Sequence, residues 1–430
     1  MILRFSLYGF LKNQTYFEPF LVLAFREAGM SFFEIGLLIG FREVVINLFE
    51  VPSGALADLH GRRRCMVVSF ASYIISFLIL AYGAELWHLF AGMFFFGGGE
   101  AFRTGTHKAM IFDWLRAQGR ADERTKVYGY TRSWSKLGSA ISVLIASALV
   151  FYGGSYRSIF LFAIAPYLAN LINLATYPAS LDGNRSTEVS FRQMARHLWR
   201  VASDAMRTPM LRRLLCECMS CEGVYAAVKD YLQPILKLAA LSLPILLSVS
   251  DRQRTAVVVG AVYFVLHLLS SAASRYSHVT VERWGGEEGA ARRLWWIVLV
   301  AFLLLIVTLR LRLEGGTVAL FVLLSVTQNL WRPVLIGRFD SHSKPEVAAT
   351  LLSLESQANS VSTMLVAPLL GYMVDWANAG VATDSERTFW PIAVAGAAPA
   401  LLMLVWRSPA RELRNLPDPP RSGSESRDPA

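Results

Sequence analysis

Ionised side chains interrupt long apolar runs along this chain. Lys12 and Glu18 fall in one run, and Arg42, Glu43 and Glu50 in the next. Glu100, Arg103, His107 and Lys108 share a later one, followed by Arg132 and Lys136. In the second half come Glu217, Glu222, Lys229 and Asp230, then Arg332 and Glu355. A charge at bilayer depth is costly unless it meets a partner or water. Such residues therefore mark a polar path or a set of locked ion pairs. Arg and Lys on such a path attract carboxylate and phosphate groups. A buried carboxylate or imidazole that opens to either side in turn can carry a proton. Spacing groups these side chains. Glu43, Asn47 and Glu50 recur at i, i+4 and i+7; Glu100, Arg103 and His107 at i, i+3 and i+7; Arg132, Lys136 and Ser139 at i, i+4 and i+7. Each set shares one helical face. Structural ion pairs explain any single residue equally well, but so many buried charges are a costly way to hold a bundle together.

The elements that must carry these residues are membrane-spanning helices. The chain is 54% hydrophobic with a mean hydropathy of +0.40. Only 17% is charged, against roughly 25% in soluble domains. Apolar blocks of spanning length predict twelve spans, near 5–28, 32–57, 65–83, 87–112, 127–151, 158–179, 212–236, 254–274, 294–312, 316–337, 346–373 and 388–406. The expected fold is therefore an all-α integral membrane protein with two six-helix bundles. The expected domains are an N-terminal bundle at 1–180, a central loop at 181–211, a C-terminal bundle at 212–407 and a disordered tail at 408–430. The polar segment Asp182–Arg213 is rich in Arg, and Phe191–Met206 within it can form an amphipathic surface helix. No repeat between the halves is visible in the sequence.

Basic residues predict the topology. Arg62–Arg64, Arg116, Arg120, Arg124, Lys126 and the central Arg cluster lie on one side, with Arg283, Arg292, Arg338 and Arg411. The other side holds fewer, among them Arg26, Arg157, Lys237 and Arg387. The positive-inside rule then puts both termini in the cytoplasm, and a plasma-membrane location is expected. Met1–Phe10 has no small-residue cleavage site and reads as the start of the first span. Spans 3, 6 and 12 carry no charge between their ends, and span 9 carries Arg310 and Arg312 only at its outer end. Every third span is thus expected to face lipid, and the others to surround a wet cavity.

Several other classes fit poorly. The net charge of +10 sits in loops between spans, so it reads as topology and not as a nucleic-acid surface. Four cysteines, Cys65, Cys216, Cys218 and Cys221, give no disulfide framework. Cys216 and Cys218 point apart on a helix, so no metal site is expected. No G-K-[ST] phosphate loop, H-E-x-x-H or G-x-S-x-G pattern occurs. Neither an ATP-driven pump nor an enzyme is expected, and no cofactor.

The strongest local pattern is Gly54-Ala-Leu-Ala-Asp58-Leu-His-Gly61-Arg62-Arg63-Arg64 after span 2. Gly54 can admit a close neighbour, and Gly61 can turn the chain tightly. Asp58 sits where the helix leaves the membrane and can bond the N–H groups opening another helix. The pattern resembles the signature loop between the second and third helices of the major facilitator superfamily, G-x-L-A-D-x-x-G-R-[RK]-[RK]. The six-plus-six layout extends the resemblance over most of the chain. The stretches Arg42–Pro52 and Thr104–Leu115 look like the same superfamily. The resemblance implies an intracellular gate. Asp58 would face the start of span 11 at Ser343–Glu346, and Asp113 would pair with Arg62 or Arg63. These contacts would hold the outward-open state. Span 5 departs from the drug–proton antiporter pattern: Lys136-Leu-Gly138-Ser-Ala has no following Pro. The second-half counterpart of the loop, Ser271–Arg275, is degenerate.

The expected function is secondary active transport of a small polar solute, anionic in the first reading, by alternating access with proton coupling. Lys12, Glu18, Glu100, Arg103, Arg132, Lys136, Glu222 and Arg332 are the expected cavity residues. Glu100, Glu222 and Asp230 are the candidates for proton coupling. Two alternatives stay open. Glu18, Glu43, Glu50 and Glu100 can neutralise the cations and leave a cavity for amphiphilic drugs, or the fold can serve as a non-transporting receptor. The expected partners are a small-molecule solute, a coupling ion and the bilayer, and the working unit is expected to be a monomer.

Overall fold

A computed structural model describes residues 1–182, 191–244, 247–342, 348–381 and 386–406. The expected disordered tail at 408–430 lies outside the described residues, as do the Asp58 side chain and 343–347.

The described residues form helical legs joined by short turns. Leg 1 is α1 (Ile2–Lys12) and α2 (Leu21–Glu27), leg 2 is α3 (Phe32–His60), and leg 3 is α4 (Arg62–Tyr82). Leg 4 is α5 (Leu86–Arg103) and α6 (Thr106–Ala117), leg 5 is α7 (Arg124–Gly153), and leg 6 is α8 (Ser158–Ala175). The surface helix α9 (Phe191–Arg207) follows. Leg 7 combines α10 (Pro209–Cys218), α11 (Val224–Val228) and α12 (Leu232–Ser242). Leg 8 is α13 (Asp251–Arg275) with the short α14 (Ser277–Arg283) below it, and leg 9 is α15 (Gly286–Arg310). Leg 10 is α16 (Glu314–Ser341), leg 11 is α17 (Ala348–Ala377), and leg 12 is α18 (Trp390–Val405).

Six of these helices, α4, α7, α8, α13, α15 and α16, are long and apolar enough to cross a bilayer by length and composition. Legs 1, 4 and 7 fall outside that set, and each is interrupted. Leg 1 passes through Asn13–Phe17 and a 3₁₀ turn at Glu18–Phe20. Leg 4 breaks at Thr104 and Gly105, where Gly105 takes φ +78°. Leg 7 holds a π turn at Met219–Gly223 and a 3₁₀ turn at Lys229–Tyr231. Hydropathy alone predicts continuous spans at all three. Irregular backbone at membrane depth is tolerated only inside protein or beside a water-accessible cavity. The breaks therefore point to the site before any side chain is considered.

Local chemistry sets the helix ends. Ser31 and Glu34 form a capping box on α3, as do Ser250 and Gln253 on α13. Pro209 occupies the first turn of α10. Gly61 separates α3 from α4 at φ +97°, a conformation that suits glycine. A Cβ there would also lie 2.7 Å from the Asp182 carboxylate.

The two halves repeat structurally although the sequence shows no repeat. Arg4 on leg 1 donates to the carbonyls of Asn173 at 2.7 Å and Thr176 at 3.0 Å, at the end of leg 6. Arg213 on leg 7 donates to the carbonyls of Met403 at 3.3 Å and Trp406, at the end of leg 12. Arg62 at the start of leg 3 binds Asp113 at the end of leg 4. Glu288 at the start of leg 9 accepts from Arg338 at the end of leg 10, at 2.7 Å. The second pair repeats the first with its signs reversed.

The bundles meet along legs 2 and 11 and at the end away from the Arg62–Arg64 run, here called the far end. Gly36 and Gly40 bring α3 against Met364–Pro368 of α17; a Cβ at Gly40 would lie 2.8 Å from the Met364 carbonyl. Asp375 of α17 accepts from the backbone N–H of Phe33 at 2.7 Å and of Phe32 at 3.2 Å. Gln233 on leg 7 accepts from Val22 N–H at 2.7 Å and donates to Glu18 O at 2.9 Å. Arg252 on leg 8 pairs with Glu27 at 3.3 Å. Gln253 donates to Phe151 O at 3.2 Å. Together these bonds close the far end. Among the described residues, nothing lies within 4 Å of a Cβ built at Gly54.

Candidate functional site

The three interrupted legs converge on one cavity of about 540 Å³ between the bundles. Asn13, Thr15, Phe17 and Glu18 come from the break in leg 1, Arg103 and Thr104 from that in leg 4, and Lys229 and Asp230 from the 3₁₀ turn of leg 7. Leg 2 adds Arg42, Glu43 and Glu50, and leg 11 adds Ser356 and Ser360. A second lobe of about 310 Å³ shares Lys12, Asn13 and Arg103 with the first and runs toward leg 5. Its wall includes Tyr8, His107, Lys108, Tyr128, Arg132, Ser135, Lys136 and Ser139. Lys108, Arg132 and Lys136 are exposed, so this lobe opens toward the basic end.

Charge differs sharply between the lobes. The larger has cations at Lys12, Arg42, Arg103 and Lys229 and carboxylates at Glu18, Glu43, Glu50, Glu100 and Asp230. Most are matched. Arg42 donates to Glu43 at 2.7 Å. Arg103 binds Glu100, and Tyr73 Oη donates to Glu100 while accepting from Arg103 at 3.1 Å. Lys229 faces Glu18 across the bundle boundary at 3.6 Å. Glu43 also accepts from Ser360, and Glu50 from Ser353 at 3.3 Å, which ties leg 2 to leg 11. The smaller lobe is lined by Lys12, Arg103, Lys108, Arg132, Lys136 and His107, with no carboxylate among its lining residues. His107 stacks on Tyr8 at 3.6 Å, is 8% exposed, and its Nε2 has no hydrogen-bond partner among the described residues.

The structure thus brings Lys12, Glu18, Glu100, Arg103, Arg132, Lys136 and Asp230 to one two-lobed cavity. It places Glu222 and Arg332 apart from both lobes, in the second bundle with Glu355. Tyr73 and Tyr167 line the larger lobe from legs 3 and 6, so two of the legs expected to face only lipid also reach the cavity. A tyrosine in an apolar run reads as filler, and its hydroxyl is the only hint of this role. Asp375 and Gln233 were also missed; a polar residue bonded only across a tertiary interface leaves no local pattern.

At the basic end Asp113 accepts from Arg62 and Arg116. Arg63 donates to Tyr177 O at 3.0 Å and approaches Asp182 at 3.8 Å. Both contacts join legs of the first bundle, so neither bridges the two bundles. The implied partners of Asp58 lie outside the described residues.

A charged cavity between two helical bundles, reached by three broken legs and closed at one end, is the architecture of a membrane transporter. The chain belongs to the Major Facilitator Superfamily, whose sequence profile matches residues 10–356. It is a multi-pass membrane protein of that transporter family. Similar solved structures include the nucleoside transporter NupG, with 11% identity, a TM-score of 0.71, and 94% of this chain and 96% of that one covered. A POT family transporter in complex with 5-aminolevulinic acid has 12% identity and a TM-score of 0.68, with 95% of both chains covered. A bacterial homolog of the human lysosomal transporter Spinster, inward-facing and unoccupied, has 14% identity and a TM-score of 0.66, with 94% of both chains covered. These likenesses concern the fold. No curated protein sequence matches the chain.

Proposed function

We propose that this protein is a secondary active transporter of a small organic solute bearing an anionic group, coupled to protons. One observation carries the reading: the smaller lobe gathers Lys12, Arg132 and Lys136 with no carboxylate on its wall. Cations at membrane depth are tolerable beside solvent and a counter-charge, and a carboxylate or phosphate on the cargo supplies that charge. Arg132 suits such a group through its fork of donors, and Ser135 and Ser139 add hydroxyls. The larger lobe, with matched charges, accommodates the polar remainder. The drug-cavity alternative requires the carboxylates to neutralise the cations. They do so for Arg42, Arg103 and Lys229 but stand on the other lobe from Arg132 and Lys136.

The basic residues support a cytoplasmic basic end in the plasma membrane. The far-end closure then makes this an inward-facing state, and alternation requires opening the Asp375, Gln233 and Arg252 contacts. The cavity is complete within one chain, which supports a monomeric unit.

Thermal stabilisation of the purified protein tests the cargo class. A panel of small carboxylates and phosphate esters is compared with matched amines and neutral analogues. The reading expects stabilisation by at least one anion, lost in Arg132→Gln/Lys136→Gln. Stabilisation by amines alone, unchanged in that variant, would refute it.

A further inference from the structure

The second bundle holds a buried charged cluster that the cargo cavity does not use. Leg 7 contributes Glu222 from its π turn, leg 10 contributes Arg332, and leg 11 contributes Glu355. Arg332 donates to Glu222 Oε2, to Glu355 Oε1 at 2.6 Å and to Glu355 Oε2 at 3.3 Å. Glu222 is 3% exposed and Glu355 1%. Cys218 Sγ lies 3.4 Å from Glu355 Oε1. Ligand atoms of Cys218, Glu222 and Glu355 all lie within 4.8 Å of one another.

Charge does not balance in this cluster. Two buried carboxylates face one guanidinium, which leaves one negative charge uncompensated. Among the described residues, the surroundings add no cation. Leg 7 presents Cys218 and Cys221, and Cys221 lies 3.3 Å from Gln328 Oε1 of leg 10. Leg 11 presents Asn359 one turn beyond Glu355, and the stretch of leg 12 packed on the π turn has no titratable residue. Glu217, further along leg 7, is taken by Arg213 at 2.7 Å and by Arg338. Hydrogen bonding does not balance either. Glu222 Oε1 is buried and has no hydrogen-bond partner among the described residues. An unpaired buried carboxylate oxygen is costly, and two carboxylates this close in low dielectric do not both stay ionised.

We infer that Glu222 and Glu355 together hold one exchangeable proton, with Arg332 as their fixed counter-charge. One carboxylate takes a proton from solvent and becomes a carboxylic acid, whose O–H donates to its neighbour. The pair then carries one negative charge, matched by Arg332. Release returns the proton to solvent and leaves two carboxylates on one guanidinium. The Arg332 side chain is 44% exposed, so the cluster reaches the protein surface through its guanidinium. The site lies in the bundle opposite the cationic lobe. Its use in driving transport rests on the function proposed above; the proton itself does not. A metal ion fits less well, because the guanidinium already binds three of the four carboxylate oxygens.

Infrared difference spectroscopy on the full chain in lipid nanodiscs tests this without any cargo. Spectra are compared between about pH 5 and about pH 9, a window that starts above the ordinary carboxylate value of about 4. Wild type is expected to show a protonated-carboxyl C=O band that disappears on titration. A shared proton predicts that Glu222→Gln and Glu355→Gln each remove that component, because the remaining carboxylate pairs with Arg332 alone. Glu222→Asp, which preserves the acid, is expected to keep it and covers the case of a Gln variant that does not fold. The assignment is overturned if no such band exists in wild type or if either Gln variant leaves it intact. It is equally overturned if sodium or zinc ions abolish the band at constant pH, which would make the site a metal site. Failure of anion stabilisation with this band present would sink the cargo reading and leave the proton site standing.

Discussion

Arg4 and Arg213 hold equivalent places in the two halves. Each reaches from the first leg of its bundle to the last and donates to the carbonyl of a helix C-cap residue and to the one three residues before it. Their surroundings differ. Arg213 is 7% exposed and also binds the fully buried Glu217, whereas Arg4 lies over the Tyr177 ring and pairs with no acidic residue among the described residues. Removing one member of a buried ion pair costs about 3–5 kcal/mol, against about 1 kcal/mol for ordinary hydrogen bonds. Arg213→Ala is therefore predicted to lower the thermal midpoint in detergent well beyond Arg4→Ala. Equal losses would show that the buried network adds nothing to the shared cap.

The sign-reversed clamps predict a charge-swap result. Arg62 and Asp113 join legs 3 and 4, as Glu288 and Arg338 join legs 9 and 10. Because the second half uses the opposite polarity, the geometry itself has no preferred sign. Arg62→Asp and Asp113→Arg singly are predicted to destabilise, and the double variant to recover part of the loss. A thermodynamic cycle on the four proteins should give a coupling of about 0.5–3 kcal/mol. Zero coupling would mean that the pair is incidental.

Asp375 is predicted to latch the far end. It caps the first N–H groups of α3 from the other bundle, where a carboxylate also meets the positive end of the helix. Asp375→Ala should shift the population toward a state open at that end. Spin labels at Tyr152→Cys and Leu311→Cys, both exposed at the far end of opposite bundles, should report a longer distance component in the variant. An unchanged distance distribution would remove Asp375 from the gate.

Much of this arrangement was legible from residue order. A charge inside an apolar run has few explanations, so Lys12, Glu100, Arg103, Arg132 and Lys136 could be assigned to a cavity before any fold was known. The loop at Gly61–Arg63 was legible for the same reason, because its residue types are specific. The breaks in legs 1, 4 and 7 were not. Hydropathy averaged over a span does not register a few residues of irregular backbone, and Thr104–Gly105 or Met219–Gly223 differ little from their neighbours. Pairings across the fold were also hidden. Glu355 stands out as a lone charge in leg 11, but only tertiary packing sets it against Glu222 and Arg332. Gly54 and Gly36 show the converse limit: a glycine signals room for a neighbour, and the fold decides which glycine receives one.

Counterflow in proteoliposomes addresses the central claim most directly, that the cationic lobe receives an anionic group of a transported solute. Vesicles loaded with each unlabelled candidate are diluted into its labelled form, with a panel of carboxylates, phosphate esters, amines and neutral solutes. The account predicts exchange of at least one anion, reduced tenfold or more (about 1.4 kcal/mol) in Arg132→Gln/Lys136→Gln while the protein stays folded. Exchange confined to amines or neutral solutes, or anion exchange indifferent to those two substitutions, would contradict it.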